Sequence, residues 1–153
     1  RSGDRCVRVQ PTVQTKPQTI TFVIAGDPVP QPRARVSTRG GSAWAYVPRH
    51  HPVHAYRDSI AITAKAAGAT VTEDAVSVTI LATFARLKSH LNKSGLKKTA
   101  PLLPREDVDN LAKAVLDALT GVAWSDDKQV ASLQIVKSYG TAGATEVSIA
   151  KFS

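Results

Sequence analysis

Between Ala75 and Phe84 the chain reads AVSVTILATF, the strongest strand signal it contains, because β-branched and apolar residues follow one another with no helical stripe. Three further runs predict strands. Ile20 to Ala25 (ITFVIA) stops at the breaker cluster Gly26-Asp27-Pro28, and Val130 to Tyr139 and Thr145 to Phe152 are joined through Gly140 and Gly143. A short candidate strand, Ala43 to Val47, follows the Gly40-Gly41 turn. Two segments instead carry helical spacing. One starts with Pro52 at its first position and runs to about Ala67 before Gly68, with Tyr56, Ile60, Ala64 and Ala67 on its inner face. The other starts at Val108, places Leu111, Ala112, Val115, Leu116 and Leu119 on one side, and closes at Gly121. Strands and helices mix without strict alternation, which predicts an α+β fold with a small mixed β-sheet and two main helices.

One domain is expected over residues 19–153, since a chain of 153 residues can bury one sizeable core. Residues 1–18 are polar, carry Pro11 and Pro17, and read as an extended or mobile arm. The chain contains no Met, so the numbered sequence does not start at an initiator and the arm is open to extension upstream. The single cysteine, Cys6, rules out an internal disulfide. No apolar run approaches transmembrane length and no secretory signal is visible, so a cytoplasmic protein of a bacterial or phage-infected cell is expected, with no membrane partner. No glycine-rich phosphate loop appears, so no nucleotide cofactor is expected.

Charge says more through its distribution than through its sum. Twenty Lys and Arg against twelve Asp and Glu give +8, which suits a polyanion. Six of the twelve acids, Glu106, Asp107, Asp109, Asp117, Asp126 and Asp127, fall between residues 106 and 127. From Arg86 to Arg105 there are six basic residues and no acid. A basic surface draws in phosphate, and one concentrated acidic spot can hold a cation.

Within that spot, Asp107 and Asp109 sit at alternate positions on the extended lead-in to the second helix, so their carboxylates face the same way. Lys113 lies one turn beyond Asp109 on nearly the same face. Asp126-Asp127 follows the Gly121 turn, where the chain can fold back and deliver a third carboxylate. Three hard oxygen donors suit Mg²⁺, and a neighbouring lysine would stabilise the charge of a phosphoryl transition state. The plainer reading is helix capping by the acids and an ordinary helical Asp109–Lys113 pair. Arg33 and Arg35, projecting to one side after Pro28, Pro30 and Pro32, are candidate DNA contacts. So are Lys88, Lys93, Lys97 and Lys98 in the long stretch 85–105, which reads as a loop. His50, His51 and His54 lack a partner at ligand spacing and are read as surface or phosphate contacts. Trp44 and Tyr46 are expected to pack into the core, and Trp124 to pack beneath the acidic pair.

These motifs, taken in order, resemble the RusA family of Holliday-junction resolvases and their prophage relatives. The matching residues are Gly26-Asp-Pro-Val-Pro30 with Arg33 and Arg35, Asp107-Val-Asp109-Asn110 with Lys113, Asp117-Ala-Leu119, and Asp126-Asp127 with Gln129. The resemblance runs from about residue 20 to 140 and leaves the arm without a counterpart. It implies a RusA-like homodimer that binds four-way DNA junctions and nicks two strands symmetrically with Mg²⁺, Mn²⁺ being an alternative. It also implies that Asp107, Asp109 and Asp127 are the catalytic, metal-binding carboxylates, assisted by Lys113, with Asp126 second in line for the third position. A branched-DNA-binding protein that does not cut, and a nuclease for other nucleic-acid structures, are the alternatives.

Overall fold

The computed structural model describes residues 18–153; the expected arm, Cys6 included, lies outside the described residues but for Gln18. Four strands form the main sheet: β1 (Ile20–Ala25), β4 (Val76–Ala85), β7 (Val130–Gly140) and β8 (Ala144–Lys151), in the order β1-β8-β4-β7. β8 runs antiparallel to both β1 and β4, whereas β4 and β7 are parallel. The sheet is therefore mixed, and with two helices the fold is α+β as expected.

Alternation along β4 assigns the two faces. Val76, Val78, Ile80, Ala82 and Phe84 are buried, together with Phe22 and Ile24 of β1 and Val147 and Ile149 of β8. On this face lie α1 (Pro52–Ala66) and α2 (Val108–Leu119), which contribute Val53, Ile60, Leu111, Val115 and Leu119 to one core. The opposite face carries the row Val23, Glu146, Leu81 and Val136, and its three apolar members are all more than 40% exposed.

Each helix ends where the sequence indicated. His51 caps α1, its Nδ1 accepting from the Val53 amide at 3.1 Å, and Gly68 and Gly121 take the positive φ that closes each helix. His54 Nε2 lies 3.1 Å from the Pro48 carbonyl, so two of the three clustered histidines serve the turn into α1. Ala67 is exposed instead of lining the inner face, and Ala69 takes the buried place beyond the helix end.

Two expectations need correction. β3 (Trp44–Tyr46) pairs only with β2 (Arg35–Ser37) in a separate ribbon, so Trp44 is 51% exposed and contributes nothing to the core. Period-two alternation is equally satisfied by a strand that lies outside the sheet. The stretch 85–105 also has internal structure: β5 (Leu91–Asn92) and β6 (Gly95–Leu96) form a small hairpin. Its turn is set by Asn92 Oδ1, which accepts from the Ser94 amide and hydroxyl, and by the positive φ of Gly95.

The breaker cluster after β1 joins three elements. Asp27 Oδ1 accepts from the Ala85 amide at the end of β4 (2.9 Å), and the Gly26 amide donates to the Gly143 carbonyl (3.0 Å). A Cβ at Gly143 would stand 2.1 Å from Asp27 Oδ1, so only glycine allows this approach.

Tyr56 fastens α1 to the sheet. Its hydroxyl meets Thr145 Oγ1 at 2.7 Å in the core, and burial pushes the phenol pKa up, with the Thr145 bond opposing. The unfolded chain ionises this tyrosine above about pH 10. Its stabilisation is therefore complete below that pH and is lost as the pH rises through the higher folded value. Tyr56→Phe is expected to cost about 1–3 kcal/mol at neutral pH by leaving Thr145 unpaired. It should also flatten the loss of stability above pH 10, as measured by urea denaturation across pH.

Candidate functional site

α2 presents its N-terminus beside the C-terminal end of β4 and β7. Lys137 of β7 shares the core-facing side with Ile135 and Tyr139, and its Nζ donates to the Glu106 carbonyl at 2.8 Å. From the other side, the buried Gln31 donates its amide to the Asn110 carbonyl at 2.9 Å, which docks the proline-rich segment against the first turn of α2. Arg57 of α1 donates to Gln31 Oε1 and pairs with Asp117 at 3.6 Å. Asp117 is thereby spent on holding α1 to α2.

Asp107 is the N-cap of α2 with extended backbone, yet its side chain makes no capping bond, and Asp109 lies in the first turn. Among the described residues neither carboxylate takes part in an ion pair, and the helical Asp109–Lys113 pair is not formed. Both acids and Lys113 are exposed. No capping bond and no ion pair therefore commits them, and of the plainer reading only the interaction with the helix dipole remains. Two uncommitted carboxylates at a helix N-terminus, where the dipole favours negative charge, suit a cation such as Mg²⁺, which takes one or two carboxylates and completes its shell with water and phosphate.

The Asp-Asp pair is built differently. Asp126 caps a 3-10 turn (Asp127–Gln129), its side chain accepting from the Lys128 amide at 3.0 Å. Gln129 braces the corner: its Oε1 accepts from the Ser125 and Asp126 amides, and its Nε2 donates to the carbonyls of Thr72 and Asp74. Asp127 Oδ1 accepts from the Thr120 hydroxyl and, at 3.2 Å, from the indole Nε1 of Trp124, which is fully buried beneath it as expected.

Thr120 is the C-cap of α2. Asp127 therefore stands at the C-terminal end of a 12-residue helix whose N-terminal end carries Asp107 and Asp109. At about 1.5 Å per residue those ends are some 18 Å apart. Among the described residues no three His, Cys, Asp or Glu side chains come together around a cation position. The anticipated fold-back of a third carboxylate onto the first pair is not made within one chain.

The basic candidates lie on two segments that are anchored near the Asp107 end, one through Gln31 and the other beside Glu106. Arg33 follows the Gln31 anchor by two residues, Arg35 begins β2, and both are exposed. Lys88, Lys93 and Lys98 are exposed on the 85–105 segment, and Lys97 is half-buried. That segment is tied down by Arg86, whose guanidinium lies 4.0 Å over the Tyr139 ring and donates to the Pro101 carbonyl. Between Leu87, His90, Pro101, Tyr139 and Glu106 it walls a cavity of about 530 Å³. Sequence reasoning missed Gln31, Arg57 and Lys137. The last had a visible signal, a lysine at an inward position between Ile135 and Tyr139.

The two kinds of carboxylate separate by stability. Asp126→Ala is expected to lower unfolding free energy by about 1 kcal/mol, the usual value of a cap. Asp107→Ala should leave it unchanged in the same urea titration; an equal loss would make Asp107 a structural cap.

A profile of the family described as "Endodeoxyribonuclease RusA" matches residues 25–150, which takes in every residue of this site. The chain is also similar to a Bacillus subtilis (strain 168) protein named "Uncharacterized protein YqaN", with 31% identity over 140 residues that cover 88% of this chain and 97% of the relative. No helix among the described residues is long and apolar enough to cross a membrane.

Proposed function

Because this chain belongs to the RusA endodeoxyribonuclease family, we propose that it is a Mg²⁺-dependent, structure-selective endonuclease that resolves four-way DNA junctions by paired nicks. The observation that carries this reading is the pair Asp107 and Asp109, exposed and uncommitted at the head of α2 with basic segments on either side. Carboxylates that neither cap nor pair contribute little to folding, and their place next to a phosphate-attracting surface gives them a chemical use.

Asp107 and Asp109 would hold the cation, which when bound supplies charge neutralisation at the scissile phosphate and a water activated for attack. Mn²⁺ would serve the same donors. Lys113, one turn along the same face, offsets the negative charge that develops on the phosphoryl oxygens. Arg33, Arg35, Lys88, Lys93, Lys97 and Lys98 bind backbone phosphates and set the path of the arms, with affinity that falls as salt rises. The setting that fits is recombination or repair in a bacterial or phage-infected cell.

The length of α2 favours a homodimer. Asp127 is too far along the helix to join Asp107 and Asp109 of its own chain, so a second copy is the source of the third carboxylate. Two-fold symmetry would then place two such sites on two equivalent strands.

Purified protein incubated with a synthetic four-way junction should produce symmetric nicks with Mg²⁺, and a matched linear duplex should remain intact. EDTA and Asp109→Asn should each abolish product. Tight junction binding without product under Mg²⁺ or Mn²⁺ would establish a non-cutting binding protein instead, and cleavage of single-stranded flaps or RNA in preference to junctions would redirect the substrate. The dimer is tested by complementation. A mixed dimer of Asp109→Asn and Asp127→Asn chains retains one intact site if the carboxylates are shared between chains, and should nick one strand. If each site is built within one chain, the mixed dimer is inert.

A further inference from the structure

The ribbon of β2 and β3 has no role in the core, and its composition is unusual for a surface hairpin. Antiparallel pairing sets Arg35 opposite Tyr46 and Ser37 opposite Trp44, so these four side chains share one face. Trp44 is 51% exposed and stacks at a tilt on Tyr46, with centroids 4.9 Å apart. The serine across from Trp44 is too small to cover the indole. Leaving a tryptophan in water forgoes a large hydrophobic gain, and such residues earn their place by contact with a partner.

Charge identifies the class of partner. From Pro28 to Arg57 the chain contains five arginines and no acid, a surface that repels cationic and attracts anionic groups. Location narrows it further. Arg33 and the start of β2 follow within four residues of Gln31, whose amide is bonded to Asn110 in the first turn of α2, next to Asp107 and Asp109. An aromatic pair flanked by arginines suits nucleic acid whose bases are not stacked on one another, since every base offers a π-face to an indole. A linear duplex hides those faces, whereas a branch point exposes them.

We propose that the β2–β3 ribbon is a stacking platform on which Trp44, backed by Tyr46, receives the unstacked face of a nucleobase at the branch of the DNA substrate. The proposal rests on the nuclease reading for its substrate but not on the metal site. Arg35, on the same face, holds the adjoining phosphate.

The two tryptophans are separated by substitution. Trp124 is fully buried but its indole N–H is bonded to Asp127, so the emission change on adding DNA that is lost in Trp44→Phe reports Trp44. The full chain would be titrated in EDTA with a dye-labelled four-way junction and a linear duplex of the same sequence, following anisotropy for binding and tryptophan emission for stacking. Emission should be quenched by the junction at the concentrations that raise anisotropy, and scarcely by the duplex. Trp44→Ala should weaken junction binding by about 5- to 150-fold, the range for loss of one stacked base, while duplex binding and melting temperature are unchanged. Trp44→Phe should restore most of the affinity, and Arg35→Ala should weaken both DNAs alike.

Junction binding without quenching, or Trp44→Ala bound as tightly as the parent, would overturn the proposal while leaving the nuclease reading intact. Emission that is insensitive to DNA because a second copy or residues 1–17 already cover Trp44 gives that same negative result. Failure of anisotropy to rise with either DNA would remove the nuclease reading, and the platform with it.

Discussion

Parallel pairing of β4 with β7 sets the position of every candidate catalytic group. A chain leaving the C-terminal end of one strand must travel back along the sheet before it can enter a parallel neighbour, and here α2 makes the return. The helix therefore begins at the C-terminal end of β4 and finishes at the start of β7. Asp107 and Asp109 inherit the first end, Asp126 and Asp127 the second. That the two pairs lie at opposite ends of α2, whose length is about 18 Å, follows from sheet topology, and no side-chain rotation within one chain removes it.

Given that frame, a small number of polar ties fix the Asp107 end. Lys137 holds the Glu106 carbonyl from the sheet side, and Gln31 holds the Asn110 carbonyl from the proline-rich segment. The segment can reach α2 because Asp27 and Gly143 lock its origin against the end of β4. All of these bonds run to backbone atoms or between structural side chains, so the lead-in is held without consuming the carboxylates it displays. The chain's net charge of +8 favours attraction of phosphate to the molecule as a whole, and the α2 dipole favours negative charge at the Asp107 end.

The strands and helices were legible because each depends on a pattern within one segment. The spacing of Leu111, Val115 and Leu119 yields α2, and the β-branched run 75–84 yields β4, whatever surrounds them. What stayed hidden is non-local. Strand order decides whether β7 runs with β4 or against it, and with it whether Asp127 meets Asp109. The exposure of Trp44 depends on β3 pairing with β2 alone, which alternation within WAY cannot reveal. The hairpin in 85–105 was nearer to legible: Asn92-Lys-Ser-Gly95 carries a turn signal, obscured by the two-residue strands beside it. Among site residues, Asp107, Asp109 and Lys113 could be picked from spacing, while Gln31 acts mainly through its backbone amide and leaves no mark in sequence.

The acidic stretch thus divides by what each carboxylate does in the free chain. Asp117 binds Arg57, Asp126 caps a turn, and Asp127 is held by Thr120 and Trp124, so three of these side chains are stabilised by neighbours that the fold itself supplies. Asp107 and Asp109 have no such neighbours among the described residues. On the proposed reading, a bound cation is the partner that these two carboxylates lack in the free chain. Asp127 is intermediate: its Oδ1 is occupied from within the chain, and it is exposed at the far end of α2. That division, more than the number of acids, is what the proposal of a metal site at the head of α2 rests on.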